Sequence, residues 1–333
     1  MTRLALALAA LLLPVAAASG QLIERRPDLT AYREYFLKQD DTPPKDGAVR
    51  VTFLGVTSLL FDDGETQLLI DACYTRPKMT HVVARRLETD PKTVDAVLKK
   101  AKIDRLKAIF VAHSHYDHAL DVAYVAKKTG AVLHGSESTL NVGRGGDVDK
   151  KQLALYRPKK EVTVGRFTVT VYESKHSPPI KFINDDLGET IDKPLRQPAW
   201  AKEYKEGGSF DFLVRRGGLA VLVTPSTNAV EGELAGVKAD AVFLGTATLG
   251  KQDKAFRDFY YEQAVAAVKP KLVVPIHWDD FFQPLTDTLE PFAKPIDDLP
   301  AGWDDLIARL KKDKIEFGLL QGYQSVRLVP EKK

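Results

Sequence analysis

Three histidines and an aspartate stand within six residues of one another, directly after an apolar run. The segment reads His113-Ser-His115-Tyr-Asp117-His118, and it follows Leu106–Ala112. Only seven histidines occur in the whole chain, so such a cluster is very rare by chance. Buried imidazoles and carboxylates are costly unless their lone pairs are satisfied, and a divalent cation satisfies several at once. The segment therefore predicts a metal site at the end of a strand.

The spacing within the segment suggests ligands for two metals. On an extended loop, His113 and His115 project to the same side, because side chains alternate along extended backbone. Asp117 and His118 lie past a turn, so their side chains can reach a second metal position. One cluster of side chains can therefore serve two ions.

His176 and His277 are the candidates for the remaining ligands. Each follows a predicted strand, and the ends of separate strands bring ligands together. We expect a three-nitrogen site and a second site with mixed ligands: His113, His115 and His176 for the first, and Asp117, His118 and His277 for the second. Three protein ligands with an open position are the catalytic zinc pattern. One or two Zn²⁺ ions are the expected cofactor, with iron or manganese as alternatives.

Residues 1–20 have the pattern of a secretory signal peptide. A charged start, Met1–Arg3, precedes the apolar stretch Leu4–Leu13, and small residues follow. We expect cleavage after Ala18 or Gly20, and hence a periplasmic or secreted protein. An uncleaved membrane anchor is the alternative. No second apolar stretch of about 20 residues follows, so no stable membrane span is expected after cleavage.

The rest of the chain suits one large domain. Residues 21–48 are charged and predict an N-terminal arm, and residues 49–330 predict the domain itself. The chain has 48 basic and 45 acidic residues, a net charge of only +3, which argues against a nucleic acid partner. The single cysteine, Cys73, excludes an internal disulfide.

Predicted strands and helices alternate through the domain. We expect strands at residues 49–55, 58–61, 67–71, 106–112, 131–134, 167–172, 211–215, 219–223, 241–244 and 271–276, and helices at residues 93–101, 120–128 and 253–268. Two similar halves of this kind imply an α/β protein, with two sheets packed face to face and helices outside. Residues 180–208 lack periodicity and predict either a functional flap or a plain connection.

The segment from His113 to His118 carries the HxHxDH signature and resembles the metallo-β-lactamase superfamily. The segments Thr52–Phe61, Gln67–Asp71 and Val274–Trp278 are similar to the branch that contains ascorbate-6-phosphate lactonase and N-acylphosphatidylethanolamine phospholipase D. The resemblance covers most of residues 49 to 280. It implies a four-layer αβ/βα sandwich with the metals at one rim of the two sheets.

One position departs from the pattern of the superfamily. Many two-metal members carry a bridging aspartate in a Thr-Gly-Asp-Thr context, whereas this chain reads Thr224-Pro225-Ser226-Thr227 and so has Ser226 in that place. A neutral hydroxyl is a poor bridge between cations. The second metal is therefore expected to bind more weakly or to be absent, although one subclass of true metallo-β-lactamases keeps two zinc ions with a serine there.

The expected activity is that of an exported metal-dependent hydrolase. Metal-bound hydroxide would attack an ester, lactone or phosphodiester in a small-molecule or lipid-derived substrate, and Asp117 would orient the nucleophile as well as bind metal. The alternatives are a β-lactamase and a non-catalytic metal-binding protein on the same fold.

Five further residues are candidates for support of the site or for its pocket. Asp71, at a strand end, is expected to buttress the histidine loop, and Ser226 occupies the bridging position. Tyr116 either lines the pocket or packs. His134 has either a structural role or a role in substrate binding. Arg144, in a glycine-rich stretch, either helps to bind an anion or is a solvated side chain of a turn.

Overall fold

The computed structural model describes residues 26–179 and 186–330. The predicted signal peptide and part of the predicted flap lie outside these ranges, so both stay predictions. No helix in the described ranges is long and apolar enough to span a bilayer. The described part of the arm packs onto the domain: a 3₁₀ helix, Leu29–Tyr35, places Tyr32 edge-on against Trp303, with 5.2 Å between ring centroids.

The first sheet contains strands from both ends of the described chain. In chain order they are β1 (Val49–Phe53), β2 (Leu59–Asp62), β3 (Gln67–Ile70), β4 (Leu106–Phe110), β5 (Val132–Gly135) and β6 (Leu153–Leu155), with β14 (Ser325–Leu328) joining last. Their spatial order is β14-β1-β2-β3-β4-β5-β6. Pairing is antiparallel from β14 to β3 and parallel from β3 to β6. The carboxyl ends of β3, β4 and β5 therefore lie at one rim.

The second sheet has the same design in reverse chain order. Its strands are β7 (Glu161–Val164), β8 (Phe167–Ser174), β9 (Ser209–Arg216), β10 (Leu219–Thr224), β11 (Ala241–Gly245), β12 (Leu272–Ile276) and β13 (Glu316–Phe317). The spatial order is β13-β12-β11-β10-β9-β8-β7. Pairing is parallel from β13 to β10 and antiparallel from β10 to β7.

The helices are distributed along both halves of the chain. They are α1 (Met79–Ala84), α2 (Pro91–Lys100), α3 (Tyr116–Ala119), α4 (Val122–Thr129), α5 (Glu137–Gly145), α6 (Lys254–Tyr261) and α7 (Leu299–Asp313). A π-helical turn, Glu262–Ala266, continues α6. α4 ends at Gly130, whose φ of 75° caps it in the left-handed conformation that glycine favours.

Two clusters of buried apolar side chains lie between the two sheets and the helices that cover them. The inner faces of the two sheets meet through rings such as Phe61 and Phe243, whose centroids are 6.4 Å apart. A second cluster lies outside the first sheet, where α2, α4 and α5 cover it, while α6 and α7 cover the second sheet. Because each sheet buries both faces, the side chains of its central strands are mostly apolar. The predicted α/β sandwich, with two packed sheets between outer helices, is confirmed.

One glycine-rich stretch forms a helix rather than a loop. For the stretch around Arg144 the sequence left open an anion-binding segment or a turn with a solvated arginine, and the structure places it within α5. A Cβ atom on Gly143 would approach the side chains of Leu153 and Leu133 to 2.8 and 2.9 Å. This glycine therefore serves close packing of α5 on the first sheet, which outweighs the low helix propensity of glycine.

Candidate metal centre

Three histidines from two sheets meet at one rim. His113 and His115 follow β4, and His176 follows β8. Their rings are 4.7 to 4.8 Å apart between centroids, and one ligand atom from each lies within 4.8 Å of the others. The structure thus brings together the three nitrogen ligands expected for the first site.

Asp117, His118 and His277 form a second set beside the first. The Asp117 Oδ2 atom lies 3.5 Å from Nε2 of His118 and 3.4 Å from Nε2 of His277. Ligand atoms on one tetrahedral zinc ion, with bonds of about 2.1 Å, are themselves about 3.4 Å apart. Each of these two distances therefore matches that between two donors on a single small cation. His113 also lies within 4.8 Å of Asp117 and His118, which makes the two sets neighbours.

Several ring nitrogens in the cluster are buried and have no hydrogen-bond partner among the described residues. They are both nitrogens of His113, Nε2 of His118 and Nδ1 of His277. Burial lowers the pKa of His113 well below its usual value and lowers the pKa of His176 to about 4. Both imidazoles are therefore neutral, with a lone pair available. Such unpaired nitrogens are costly unless a cation binds them, so the residues fit a divalent metal.

Asp117 carries the negative charge of the second set. Burial opposes its ionisation, but the imidazoles of His118 and His277 outweigh burial and hold the pKa of Asp117 below its usual value. The same attraction, from Asp117 and Asp71, outweighs burial at His118 and raises the pKa of that ring. Asp117 is thus an ionised ligand at the pH of most cells.

Hydrogen bonds fix the orientation of two of the rings. Nδ1 of His118 lies 2.8 Å from Oδ2 of Asp71, and Oδ1 of Asp71 accepts the backbone N–H of Ala112 at 2.7 Å. His176 pairs through Nδ1 with the carbonyl of Ser177 at 2.9 Å. Each contact leaves Nε2 of the ring for a metal. The structure places Asp71 behind His118, where it can orient the ring.

A buried ion pair holds the loop that carries His277. Arg76 and Asp279 are both inaccessible to solvent and meet at 2.8 Å. Oδ1 of Asp279 also accepts the N–H of Val56, and the carbonyl of Val56 accepts the N–H of His277. Val56 and His277 have φ values of 53° and 57°, in the left-handed region. This strained backbone is typical of functional sites, where surrounding contacts hold it in place.

Of the predicted pocket residues, Tyr116 lies between two ligands in the sequence, and Ser226 lies in a turn that contacts the loop of His176. The ring of Tyr116 is 6.2 Å from that of Phe281, which in turn is 5.7 Å from the ring of His277. Ser226 is buried in the turn after β10, and the next residue, Thr227, donates its N–H to the side chain of Ser177. The turn with Ser226 therefore supports the loop of His176.

The structure places two other predicted residues, His134 and Arg144, outside the cluster of donors. His134 lies on β5 and stacks on Phe110, with centroids 4.5 Å apart, and burial lowers its pKa to about 4. Arg144 binds Glu137 and Asn141 within its own helix. Neither belongs to the clustered donors.

Sequence reasoning missed two residues at the centre. Asp186 has both carboxylate oxygens near Nε2 of His115, at 3.1 and 3.2 Å. The acidic pair at positions 185 and 186 was the only signal in an aperiodic stretch. Phe281 gave no signal, because its role follows from contact with Tyr116 and His277 rather than from spacing.

Comparisons with known proteins agree with this arrangement. The sequence model of the metallo-beta-lactamase superfamily matches residues 51–301. A UPF0173 metal-dependent hydrolase from Heliobacterium modesticaldum is 24% identical over 243 residues, which cover 70% of this chain and 84% of that protein. A relative of the same description from Pyrococcus furiosus is 25% identical over 261 residues, covering 74% and 91%.

A solved structure supports the same fold. Igni18, described as a novel metallo hydrolase from Ignicoccus hospitalis, superposes with a TM-score of 0.53 at 14% identity, over 86% of this chain and all of that one. At this identity the likeness concerns the fold alone. The family match spans most of both sheets and includes the clustered histidines and Asp117. The chain therefore belongs to the metallo-β-lactamase superfamily.

Proposed function

We propose that this protein is a metal-dependent hydrolase that cleaves an ester, lactone or phosphodiester, with zinc as its metal. The observation that carries the proposal is a pair of adjacent donor groups that share His113: His113, His115 and His176 form one, and His113, Asp117 and His118 form the other. Nε2 of His277 lies 3.4 Å from Oδ2 of Asp117, beside the second group. Membership in the superfamily and two relatives described as metal-dependent hydrolases support it. Imidazole and carboxylate ligands suit zinc, with iron and manganese as alternatives.

In this reaction the residues of the site would have distinct roles. A divalent metal bound there would supply an activated water and a positive charge next to the scissile bond. Asp117, which its neighbours hold ionised, would bind the metal and orient the nucleophile. Asp71 keeps Nε2 of His118 directed at the cluster.

The aromatic side chains beside the site favour a substrate with an apolar group. Tyr116 and Phe281 are half-buried, and Phe281 also packs against Phe282 and Phe292 at 4.8 and 5.1 Å between centroids. Because Phe281 contacts His277, an apolar group next to the scissile bond would lie against these rings and lose contact with water. A lipid-derived ester fits this description.

The proposal is tested by metal analysis followed by a substrate panel. We expect one to two zinc equivalents per chain and turnover of at least one of these compounds: nitrophenyl acetate, nitrophenyl octanoate, a lactone, a phosphodiester and a β-lactam. His115→Ala removes a ligand and should lower turnover by more than about 100-fold, since loss of a residue that only supports a ligand already costs about 10- to 100-fold. Octanoate should be preferred to acetate.

His81→Ala provides the control, because His81 lies on α1 and is absent from both donor sets. Its activity should equal that of the wild type. Turnover that survives His115→Ala would show that the site is assigned wrongly. A metal-loaded protein that cleaves none of the panel would refute the hydrolase proposal and favour a non-catalytic metal-binding protein. Turnover of the β-lactam alone would identify a β-lactamase.

A further inference from the structure

A carboxylate from outside the HxHxDH segment contacts His115. Both oxygens of Asp186 lie close to Nε2 of His115, at 3.1 and 3.2 Å, and the two side chains are only 16% and 11% exposed. Asp186 is absent from both groups of ligand atoms that lie within 4.8 Å of one another. Its carboxylate therefore lies on the outer side of the ring, away from the common point of the three imidazoles.

This contact determines which nitrogen of His115 is free for a metal. A histidine that binds metal through one ring nitrogen usually donates from the other to a carboxylate or carbonyl. Asp186 engages Nε2, which leaves Nδ1 for the metal. At His118 the arrangement is reversed, because Asp71 engages Nδ1 and leaves Nε2. Two carboxylates thus select opposite ring nitrogens in neighbouring ligands.

The backbone around Asp186 is fastened to the histidine loop. The carbonyl of Asp186 accepts the N–H of Glu189 at 2.9 Å, which closes a turn. The N–H of Gly188 in that turn donates to the carboxylate of the buried Glu206 at 2.6 Å. The carbonyl of Glu206 accepts the N–H of Ser114 at 2.8 Å, and Ser114 stands between His113 and His115. These hydrogen bonds therefore connect the backbone around Asp186 to Ser114, the residue that precedes His115.

We infer that Asp186 is a positioning residue of the metal centre, which holds His115 as an Nδ1 ligand. The inference rests on the metal centre of the proposed function but not on hydrolysis. It extends the site to residues 186–206, a stretch in which Ile191, Ala199 and Tyr204 are also buried against the domain. This part of the predicted flap packs against the domain beside the centre.

Metal affinity of the full-length protein tests the role of Asp186. The dissociation constants of Zn²⁺ and Co²⁺ would be measured by competition with a chelator, and the absorption spectrum of the Co²⁺ form would be recorded. Asp186→Ala should weaken binding by about 10- to 100-fold and shift the Co²⁺ bands, because the ring of His115 loses its fixed orientation. Asp186→Asn should recover part of the affinity, since its amide oxygen still accepts the ring N–H.

Asp192→Ala is the matched control, because Asp192 lies on the same stretch and its carboxylate accepts a hydrogen bond from the hydroxyl of Thr190, its one hydrogen bond within the described part of the chain. It should bind metal as the wild type does. Unchanged affinity in Asp186→Ala, an equal loss in Asp192→Ala, or loss of a whole metal equivalent in Asp186→Asn would overturn the positioning role. Failure of the wild type to bind metal would overturn it together with the metal centre. A wild type that binds metal but cleaves no substrate would overturn only the proposed function.

Discussion

Individual buried polar residues show how the metal centre is supported. Two ligand rings have a hydrogen-bonded nitrogen whose partner lies far away in the sequence, Asp71 for His118 and Asp186 for His115. His176 instead pairs with the carbonyl of the next residue, Ser177. Among residues 26–179 and 186–330, none pairs with Nδ1 of His277. The orientation of this ring depends on its backbone, which the pair of Arg76 and Asp279 secures through Val56. The placement of this ligand therefore depends on an ion pair that does not touch it.

Breaking this pair should be costly. Arg76→Ala leaves the carboxylate of Asp279 buried without its cation, and loss of one partner of a buried pair costs about 3–5 kcal/mol. We expect the free energy of unfolding, measured in urea, to fall by that amount. Zinc binding by Asp117, His118 and His277 should weaken as well, because the loop of His277 is released.

Arg196→Ala is the control for the loss of an arginine. Arg196 also pairs with an aspartate, Asp147, at 3.2 Å, but the two side chains are 69% and 65% exposed. Exposed pairs contribute about 0–1 kcal/mol, so this variant should be nearly as stable as the wild type. Equal losses in the two variants would show that the buried pair has no special role.

At the scale of elements, the loop from β1 to β2 contains two consecutive left-handed residues, Gly55 and Val56. Gly55 has a φ of 77°, and a Cβ atom there would lie only 1.8 Å from Nη2 of Arg76. Gly55→Ala should therefore cost more than the roughly 1–2 kcal/mol expected for a left-handed residue, since Arg76 must also move. Urea unfolding measures this cost, and the zinc stoichiometry reports the effect on His277.

A second glycine separates the two contributions. Gly232 has a similar φ of 74°, but a Cβ atom there would meet no heavy atom within 4 Å. Gly232→Ala should lose only the backbone contribution and keep its full zinc content. If Gly55→Ala were no more destabilised than Gly232→Ala, the close contact with Arg76 would carry no energetic weight.

The elements also show what the sequence could predict and what it could not. Strands with continuous apolar runs, such as β4 and β12, were predictable, and so were the ligands at their ends. Helix α5 was missed because Gly143 reads as a loop residue until its contacts with Leu133 and Leu153 are known. Strand β14 pairs with β1 across more than 270 residues, and no local pattern contains that pairing. Asp186 was missed for the same reason, since its partner lies 71 positions away.

At the scale of the whole molecule, the metal centre joins the two sheets. The first sheet supplies His113 to His118, and the second supplies His176 and His277. A bound metal should therefore stabilise the entire sandwich. At a free zinc concentration of 100 times the dissociation constant, the gain is about 2.7 kcal/mol for one site.

Chelation tests this coupling. A chelator should lower the midpoint of urea unfolding of the wild type, and added zinc should restore it. The double variant His115→Ala/Asp117→Asn, which lacks a ligand in each set, should unfold at a midpoint that neither treatment changes. A wild-type midpoint that is insensitive to the chelator would mean that metal does not connect the sheets energetically.

The course of the chain at its two ends has a practical consequence for handling the protein. Arg26 binds Asp280 at 2.6 Å, and Asp280 precedes Phe281, which contacts His277. A polyhistidine tag attached a few residues ahead of Arg26 would thus begin near the segment 277–281, and its imidazoles would compete with the donors for metal. β14 runs antiparallel to β1, so Leu328 lies beside Val49, at the rim of the sheet opposite the metal centre. A purification tag or a fluorophore is therefore better attached at the C-terminus.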